Sequence, residues 1–246
     1  MEDVIAGRNS VGEALKSGRP LNKLLIAKGE RQGSLRELAG IAKDKGILVQ
    51  EVEPQRLAQL APGQRHQGVV AMASPVEYAE VEDILAAAEA KGEAPLLVVL
   101  DELEDPHNLG AVLRSVDAAG AHGVIIPKRR SCPLSTTVAK TSAGAVEYVP
   151  VARVANLAQT LDKLKKAGVW VAGCDMDGTE NYFEASLKGP LALVIGGEGR
   201  GLGRLVKEHC DFLVRIPMQG HVNSLNASVA CSLVLYEAVR QRLQQG

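Results

Sequence analysis

Three features of the sequence predict an α/β protein. Apolar runs rich in Val, Leu and Ile recur at strand length along the 246 residues, amphipathic stretches closed by glycine lie between them, and the later runs LLVVL (96–100), GVIIP (123–127) and LALVIGG (191–197) are apolar throughout. Near-continuous apolar strands alternating with helices are what parallel strands buried on both faces require, because the crossover helices cover both sides of the sheet. The length allows one large or two ordinary domains. The linker-like SPVEYAE (74–80) divides the chain into a unit at 1–73 and a larger one at 81–246.

The first unit reads as a small α/β domain. A helix from about Ser10 to Lys16 ends at Gly18. Strand KLLIA (23–27), helix SLRELAGIAKDKG (34–46), strand ILVQEV (47–52), a short helix from Pro54 and strand GVVAMA (68–73) follow. Before the last strand lies RHQG, Arg65 to Gly68, either a cationic loop that touches phosphate or a solvated turn.

An acidic helix, EDILAAAEAKG, opens the second unit. Strand 96–101 and helix 108–119 come next, then strand 123–127, helix 134–143, strand 149–151, helix 156–167, strand 169–175, strand 191–197, helix 202–209 and strand 212–217. Pro217 fixes φ and removes a donor, which stops that last strand. Asn223 or Ser224 can cap a long final helix with apolar positions at Leu225, Val229, Leu233 and Ala238. Ligands of such sheets normally sit at the carboxyl ends of the strands, so the loops there are the place to look for a site.

Composition narrows the function classes. No apolar run approaches the roughly 20 residues of a membrane span, and MEDVIAGRNS lacks the pattern of a secretory signal. Cys132, Cys174, Cys210 and Cys231 are scattered without a CxxC pair, which fits a reducing, cytoplasmic setting and argues against structural zinc. His107, His122, His209 and His221 show no ligand spacing, so no metal is expected. The net charge is −1, yet Lys+Arg number 11 against 8 Asp+Glu over residues 1–73, 1 against 10 over 74–105, and 16 against 11 over 106–246. Both ends are therefore mildly basic, which permits contact with RNA. Lys128, Arg129 and Arg130 suit RNA phosphate and plain solubility equally well.

Three loops concentrate the polar residues. The first, DELEDPHNLGAVLRSVDAAG, places Asn108 as a possible helix cap and Arg114 under two turns further on. The second, GGEGRGLG (196–203), allows close backbone approach to a ligand. It lacks the glycine spacing of a dinucleotide fingerprint and the GK[ST] ending of a phosphate-binding loop, and Glu198 would repel phosphate, so a nucleotide-dependent oxidoreductase is excluded. In the third, Ser224, Asn226 and Ser228 crowd the start of the last helix, whose unpaired N–H groups suit a polar ligand.

The motifs DPHNLGAVLRS, LVIGGEGRGL and IPMQGHVNSLNASVA, in that order, resemble those of the SpoU (TrmH-type) family of RNA ribose 2′-O-methyltransferases, of the SPOUT class. That resemblance covers residues 96–246. The N-terminal unit with its HQG element is similar to the substrate-binding domain, itself similar to ribosomal protein L30e, of the RlmB-type enzymes acting on guanosine in 23S rRNA. The resemblance implies a parallel sheet ending in a trefoil knot, a known exception to unknotted connections. It also implies S-adenosylmethionine held by Gly196, Gly197, Ile216, Met218 and Leu225. Catalysis is assigned to Arg114 with Asn108, Glu198, Ser224 and Asn226, in a homodimer where Arg114 reaches the partner's cofactor site.

Methyl transfer from a sulfonium needs no metal; the protein must align the hydroxyl and help remove its proton. A guanidinium yields its proton only above about pH 12, so Arg114 either accepts the proton with help from substrate phosphate or stays charged and clamps the phosphate while stabilising the alkoxide. The physical argument favours the clamp. The alternatives are the same chemistry on tRNA and a non-catalytic RNA-binding protein, against which the intact five-residue set speaks.

Overall fold

The computed structural model describes residues 4–29, 33–197 and 201–244. The chain divides into two compact units, Met1–Glu77 with Pro133–Thr137, and Tyr78–Cys132 with Val138–Gly246.

In the first unit, β1 (Val4–Ala6), α1 (Arg8–Lys16), β2 (Leu21–Ala27), α2 (Ser34–Asp44), β3 (Leu48–Val52), α3 (Pro54–Leu60) and β4 (Val69–Ala73) form a mixed sheet of order β1-β4-β2-β3. β4 runs antiparallel to both neighbours, whereas β2 and β3 are parallel and joined through α2. β1, absent from the sequence-based assignment, spans three residues, too few for a period-2 pattern to register. Val11, Leu15, Leu24, Leu35 and Leu38 bury one face of the sheet, and Leu25, Leu57 and Met72 the other.

The second unit holds α4 (Val81–Ala90), β5 (Leu96–Asp101), α5 (Pro106–Ala118), β6 (Gly123–Pro127), β7 (Val151–Val154), α7 (Leu157–Lys166), β8 (Trp170–Cys174), β9 (Glu180–Asn181), β10 (Leu191–Gly196), α8 (Arg204–His209), β11 (Phe212–Arg215) and α9 (Ala227–Leu243). The short α6 (Thr136–Thr141) precedes β7. Its seven strands run in the order β7-β6-β5-β10-β8-β11-β9, and every pairing is parallel. All six β5 residues and the first five of β10 are buried, which explains why no alternation appears in their sequence. Leu97, Val99, Val171 and Val194 pack against Leu161, Leu164 and Ile84 from the covering helices, each buried side chain contributing on the order of 2 kcal/mol. Among the described residues no helix is long and apolar enough to cross a membrane.

Several sequence-based placements change. Helix α5 begins at Pro106, not Asn108. Proline suits the first helical position, and Asp105 is the cap, its side chain accepting from the His107 N–H at 2.9 Å. Asn108 therefore lies inside the first turn, and buried. Neither Asn223 nor Ser224 caps α9; Asn226 does, with Oδ1 accepting from the N–H groups of Ser228 at 3.0 Å and Val229 at 3.3 Å. Of the apolar positions read along α9, Ala238 is buried and Val229 and Leu233 are not. Ala227, Cys231, Val234, Leu235 and Ala238 go inward, while Val229, Leu233 and Tyr236 stay exposed. Strand β7 begins at Val151, two residues later than the VPV run suggested, because Pro150 has no N–H to give a ladder.

Candidate active site

A cleft of about 1020 Å³ opens at the carboxyl ends of β8, β10 and β11, the edge where parallel sheets bind ligands. Gly196 ends β10 and Gly197 follows it, Ile216 and Met218 follow β11, and Ser224 and Leu225 lead into α9; all six line this one cleft. Cys174, Asp175 and Ile195 complete the strand-end floor, and Ala227 and Ala230 present the small side of α9.

The glycines stand where side chains cannot. A Cβ on Gly196 would run into the Gly201 carbonyl carbon, and one on Gly197 into the carbonyl oxygen of Glu102, both backbone atoms with no room to move. Gly197 and Gly201 pair across an isolated antiparallel bridge, and Gly201 takes φ +64. The turn's return limb is tied down by two carboxylates that the sequence reading passed over. Asp101, at the end of β5, accepts from the Gly203 N–H at 2.8 Å, and Asp175, just past β8, from the Leu202 N–H at 3.1 Å. A carboxylate at a strand's carboxyl end was the signal that could have found both.

Their charge states differ. Burial pushes the Asp101 carboxyl up, only partly offset by the Gly203 N–H. Burial also pushes on Asp175, but the Lys207 ammonium and the N–H groups of Asp177 and Leu202 outweigh it and hold this carboxyl below the usual range. Lys207 Nζ lies 2.7 Å from both Asp175 Oδ1 and Asp177 Oδ2, and these two contacts raise its own value. Cys174 sits beside Asp175 with its thiol pushed up to about 11 by burial.

The third polar loop is joined to the first. Asn226 Nδ2 donates to Asn108 Oδ1 at 2.8 Å, so the cap of α9 is fixed on the first turn of α5. One helical face further on, the hydroxyls of Ser115 and Ser232 meet at 2.8 Å. Arg114 is not brought into the cleft: it is exposed on α5, and its side chain makes no hydrogen bond or ion pair among the described residues. Glu198 lies outside the described residues. Of the basic loop after β6, Arg130 is held by Glu102 at 2.8 Å. The NYFEASL segment (181–187) serves packing. Ala185 and Leu187 are buried, and Gln241 of α9 ties it down by accepting from the Leu187 N–H and donating to the Ala185 carbonyl, both at 2.9 Å.

An all-parallel sheet, a main-chain turn too tight for any Cβ and a cleft at the strand ends lined by apolar and polar groups together define a class of α/β enzyme that holds a cofactor through backbone and small side chains, with no metal cluster among the described residues. Profiles of the SpoU rRNA Methylase family and of RNA 2′-O ribose methyltransferase substrate binding match residues 95–236 and 4–79. A protein assigned to the TrmH family of tRNA/rRNA methyltransferases, YacO of Bacillus subtilis (strain 168), is 53% identical over 240 residues, 98% of this chain and 96% of its own. Among solved structures, the SpoU methyltransferase AviRb from Streptomyces viridochromogenes in complex with AdoMet superposes with a TM-score of 0.63 at 29% identity, covering 99% of this chain and 91% of its own. An AdoMet-bound rRNA methyltransferase from Sinorhizobium meliloti gives 0.61 at 28% identity over 96% and 86%. The TrmH/SpoU tRNA modifying enzyme of A. aeolicus gives 0.57 at 29% identity over 63% and 78%. The chain belongs to the SpoU/TrmH family of S-adenosylmethionine-dependent RNA 2′-O-methyltransferases.

Proposed function

We propose that the chain methylates the ribose 2′-hydroxyl of a guanosine in 23S rRNA, acting in the cytoplasm as a homodimer. One observation carries the reading: Gly196, Gly197, Ile216, Met218, Ser224 and Leu225, drawn from two separate motifs, line a single cleft, and the Asn226–Asn108 bond fastens the third motif to the first. A large-subunit substrate is favoured by the match of residues 4–79 to a substrate-binding domain, and by the greater share of the chain covered by the rRNA enzyme, 96%, than by the tRNA enzyme, 63%. The position of β10 between β5 and β8, with β11 beyond β8, supports a knotted path for the last strands, and the L30e-like character of the first unit is part of the same reading.

The cleft suits S-adenosylmethionine. Ile216, Met218 and Leu225 offer apolar surface for an adenine, and the Gly196–Gly197 backbone is bare enough to bind polar edges without a side chain intervening. When bound, the cofactor supplies a methyl group on a positively charged sulfur. What the chain must add is alignment of the 2′-hydroxyl and stabilisation of the charge left as its proton departs. We assign the stabilisation to Arg114, a permanent cation that clamps the adjacent phosphate and faces the developing alkoxide. Ser224 and Asn226 hydrogen-bond the ribose or the methionine carboxylate, Asn108 holds Asn226 in place, and Glu198 orients Arg114 or a backbone amide.

What one subunit leaves incomplete supports the homodimer reading. Arg114 is off its own cleft, and Val229, Leu233 and Tyr236 form an exposed apolar stripe on α9, to which α5 is joined through Ser115 and Ser232. A second copy covering that stripe would carry its Arg114 to the cleft. Leu233→Glu is expected to yield monomers by light scattering that bind cofactor and methylate nothing. The substrate assignment is tested by mass spectrometry of RNA from cells lacking the gene. Loss of a single 2′-O-methylguanosine from 23S rRNA is expected; an unchanged rRNA profile with a missing tRNA methylation would move the same chemistry to tRNA.

A further inference from the structure

At the outer edge of the second sheet the cleft has an end to which the cofactor reading gives no task. Arg215 and Asn181 line it, with Met176, Asp177 and Lys207. The fold holds the Arg215 backbone from both sides. On one, the two-residue β9 pairs with β11 so that Asn181 stands opposite Arg215, and the Tyr182 N–H donates to the Arg215 carbonyl at 3.0 Å. On the other, the turn after β8 presses on the strand. The Asp175 N–H donates to the Val214 carbonyl at 2.9 Å, and a Cβ on Gly178 would meet the Val214 carbonyl carbon at 2.5 Å and the Arg215 nitrogen at 2.7 Å. Only glycine lets the turn sit this close.

The side chain is set as firmly. Arg215 Nε donates to Asn181 Oδ1 at 3.2 Å, and Asn181 Nδ2 donates to Glu184 Oε2 at 2.9 Å, which fixes both the orientation of the amide and the plane of the guanidinium. With Nε so engaged, the two terminal NH₂ groups form a planar fork that matches a partner presenting two acceptors side by side. A phosphate, a carboxylate and the Hoogsteen edge of guanine all have that geometry. Charge decides among them. Among the described residues, the charged side chains lining the cleft are Lys207 and Arg215 against Asp175 and Asp177, with Lys207 Nζ 2.7 Å from each acid. Glu184 adds a further carboxylate behind Asn181. An anion gains little in so balanced a field, whereas a neutral base with two acceptors loses nothing. Met176, which lines the same cleft and is 68% exposed, offers a thioether face on which the ring can pack.

We propose that Arg215, oriented by Asn181, reads the Hoogsteen edge of the guanine whose ribose is methylated, so that the β9–β11 end of the cleft is the base-recognition subsite. This rests on the guanosine 2′-O-methyltransferase reading and adds to it the group that chooses the base. Arg215 sets specificity and Asn181 is a positioning residue; neither takes part in the transfer itself. Enzymes that do chemistry on a base draw it out of the stack and read it in a pocket, and a base subsite in the same cleft as the cofactor gives the neighbouring ribose the same address.

Two transcripts of 23S rRNA test it with the full-length protein, one made with GTP and one with 7-deazaguanosine triphosphate, which replaces the Hoogsteen ring nitrogen by CH. Single-turnover transfer of labelled methyl groups by wild type should fall on the deaza transcript. In Arg215→Met that penalty should shrink roughly tenfold, one good base contact being worth about this factor. Any misfolding of the deaza RNA slows both proteins alike, so only the difference between the penalties counts. Arg215→Lys, which keeps a single donor, and Asn181→Ala, which frees the fork, should give intermediate penalties; where R215M is too slow to measure, R215K decides by the same comparison. Cofactor affinity by calorimetry should be equal in all four proteins. An equal penalty in wild type and R215M, with R215M slowed alike on both transcripts, overturns the proposal in favour of a phosphate contact. Loss of cofactor affinity in R215M overturns it in favour of the methionine carboxylate. A wild-type digest of the ordinary transcript without 2′-O-methylguanosine removes the parent reading and the subsite with it.

Discussion

The cleft has two unlike sides. Its β10 side is main chain: glycines where a Cβ would strike backbone, pinned from beneath by Asp101 and Asp175. Its α9 side is side chain: Ser224 and Leu225 at the rim, Asn226 bonded to Asn108, and Arg114 out on the surface of α5. A main-chain wall has no rotamers to reorganise, so it suits a ligand that is the same in every turnover. Side chains on helices suit a polymer that must dock, react and leave. The division predicts that changes on the first side act on cofactor affinity and changes on the second act on rate.

Gly196→Ala should break the main-chain side outright. The new methyl group meets the Gly201 backbone, which cannot yield without dragging Leu202 and Gly203 off their carboxylates. Overpacking of this kind costs about 1–3 kcal/mol, and because the displaced turn is the wall of the site, cofactor affinity by calorimetry should fall by up to about 100-fold, near 1.4 kcal/mol being each factor of ten. Retained affinity would mean that the turn is not a wall of the site.

Arg114→Ala should do the opposite. Cofactor binding should hold, while single-turnover methyl transfer drops on the order of 10²-fold, the usual cost of removing one group that stabilises developing charge. Arg114→Lys keeps the charge but loses the planar fork, and should recover only part of that. If R114K kept the full rate at every pH, neither the clamp nor the base role could stand.

Asp175→Asn sharpens the contrast, because it touches the main-chain side from behind. The amide can still accept from the Leu202 N–H, but Lys207 is left facing only Asp177. Stability should fall by about 2 kcal/mol, the range for a hydrogen bond to a charged group, and cofactor affinity by a few fold, with methyl-transfer rate at saturating cofactor unchanged. The pH dependence has a definite sign. Because the folded Asp175 carboxyl titrates below its ordinary value, its contribution is present above the unfolded carboxylate range and is lost as pH falls through the folded value. Chemical denaturation of wild type and D175N should therefore converge in acid.

How much of this was legible in the sequence follows from the same contrast. The strands of the second sheet were readable because burial on both faces leaves nothing but Val, Leu and Ile, and the glycine turn because its bareness is a composition. Caps were not, since Asn108, Asn223, Ser224, Asn226 and Asp105 are all competent and only the three-dimensional entry angle picks Asp105 and Asn226. Which face of α9 turns inward was not legible for a related reason: Val229, Leu233 and Ala238 are apolar at roughly helical spacing, yet Val229 and Leu233 are exposed while Ala238 is buried, and Glu237 and Gln241 are buried too, paired with Arg240 and with the Ala185–Leu187 segment. Periodicity finds an apolar stripe without saying which partner covers it. Asp101 and Asp175 were missed because a lone strand-end carboxylate looks like any solvated loop residue until its backbone partner, a hundred residues away for Asp101, is seen.

The smallest effect should come from Cys174→Ala, which lies on the floor of the cleft and so tests whether lining the site is enough to matter. Burial and the neighbouring Asp175 carboxylate push its thiol up to about 11, so at neutral pH it is neither a nucleophile nor a ready target for alkylation. C174A should keep cofactor affinity and rate within about twofold, and wild-type activity should survive iodoacetamide at pH 7.5. A trace appears only in base. Cys210 and Cys231 are likewise pushed up, each to about 12, by burial; a thiol raised in the fold lends stability that is whole below its unfolded value and is lost as pH climbs from there through the folded value. Wild-type stability should thus decline from about pH 9 upward, and C174A should remove one of the three contributions to that slope. An alkaline limb unchanged in C174A would mean that the Cys174 sulfur already sees water from the open side of the cleft.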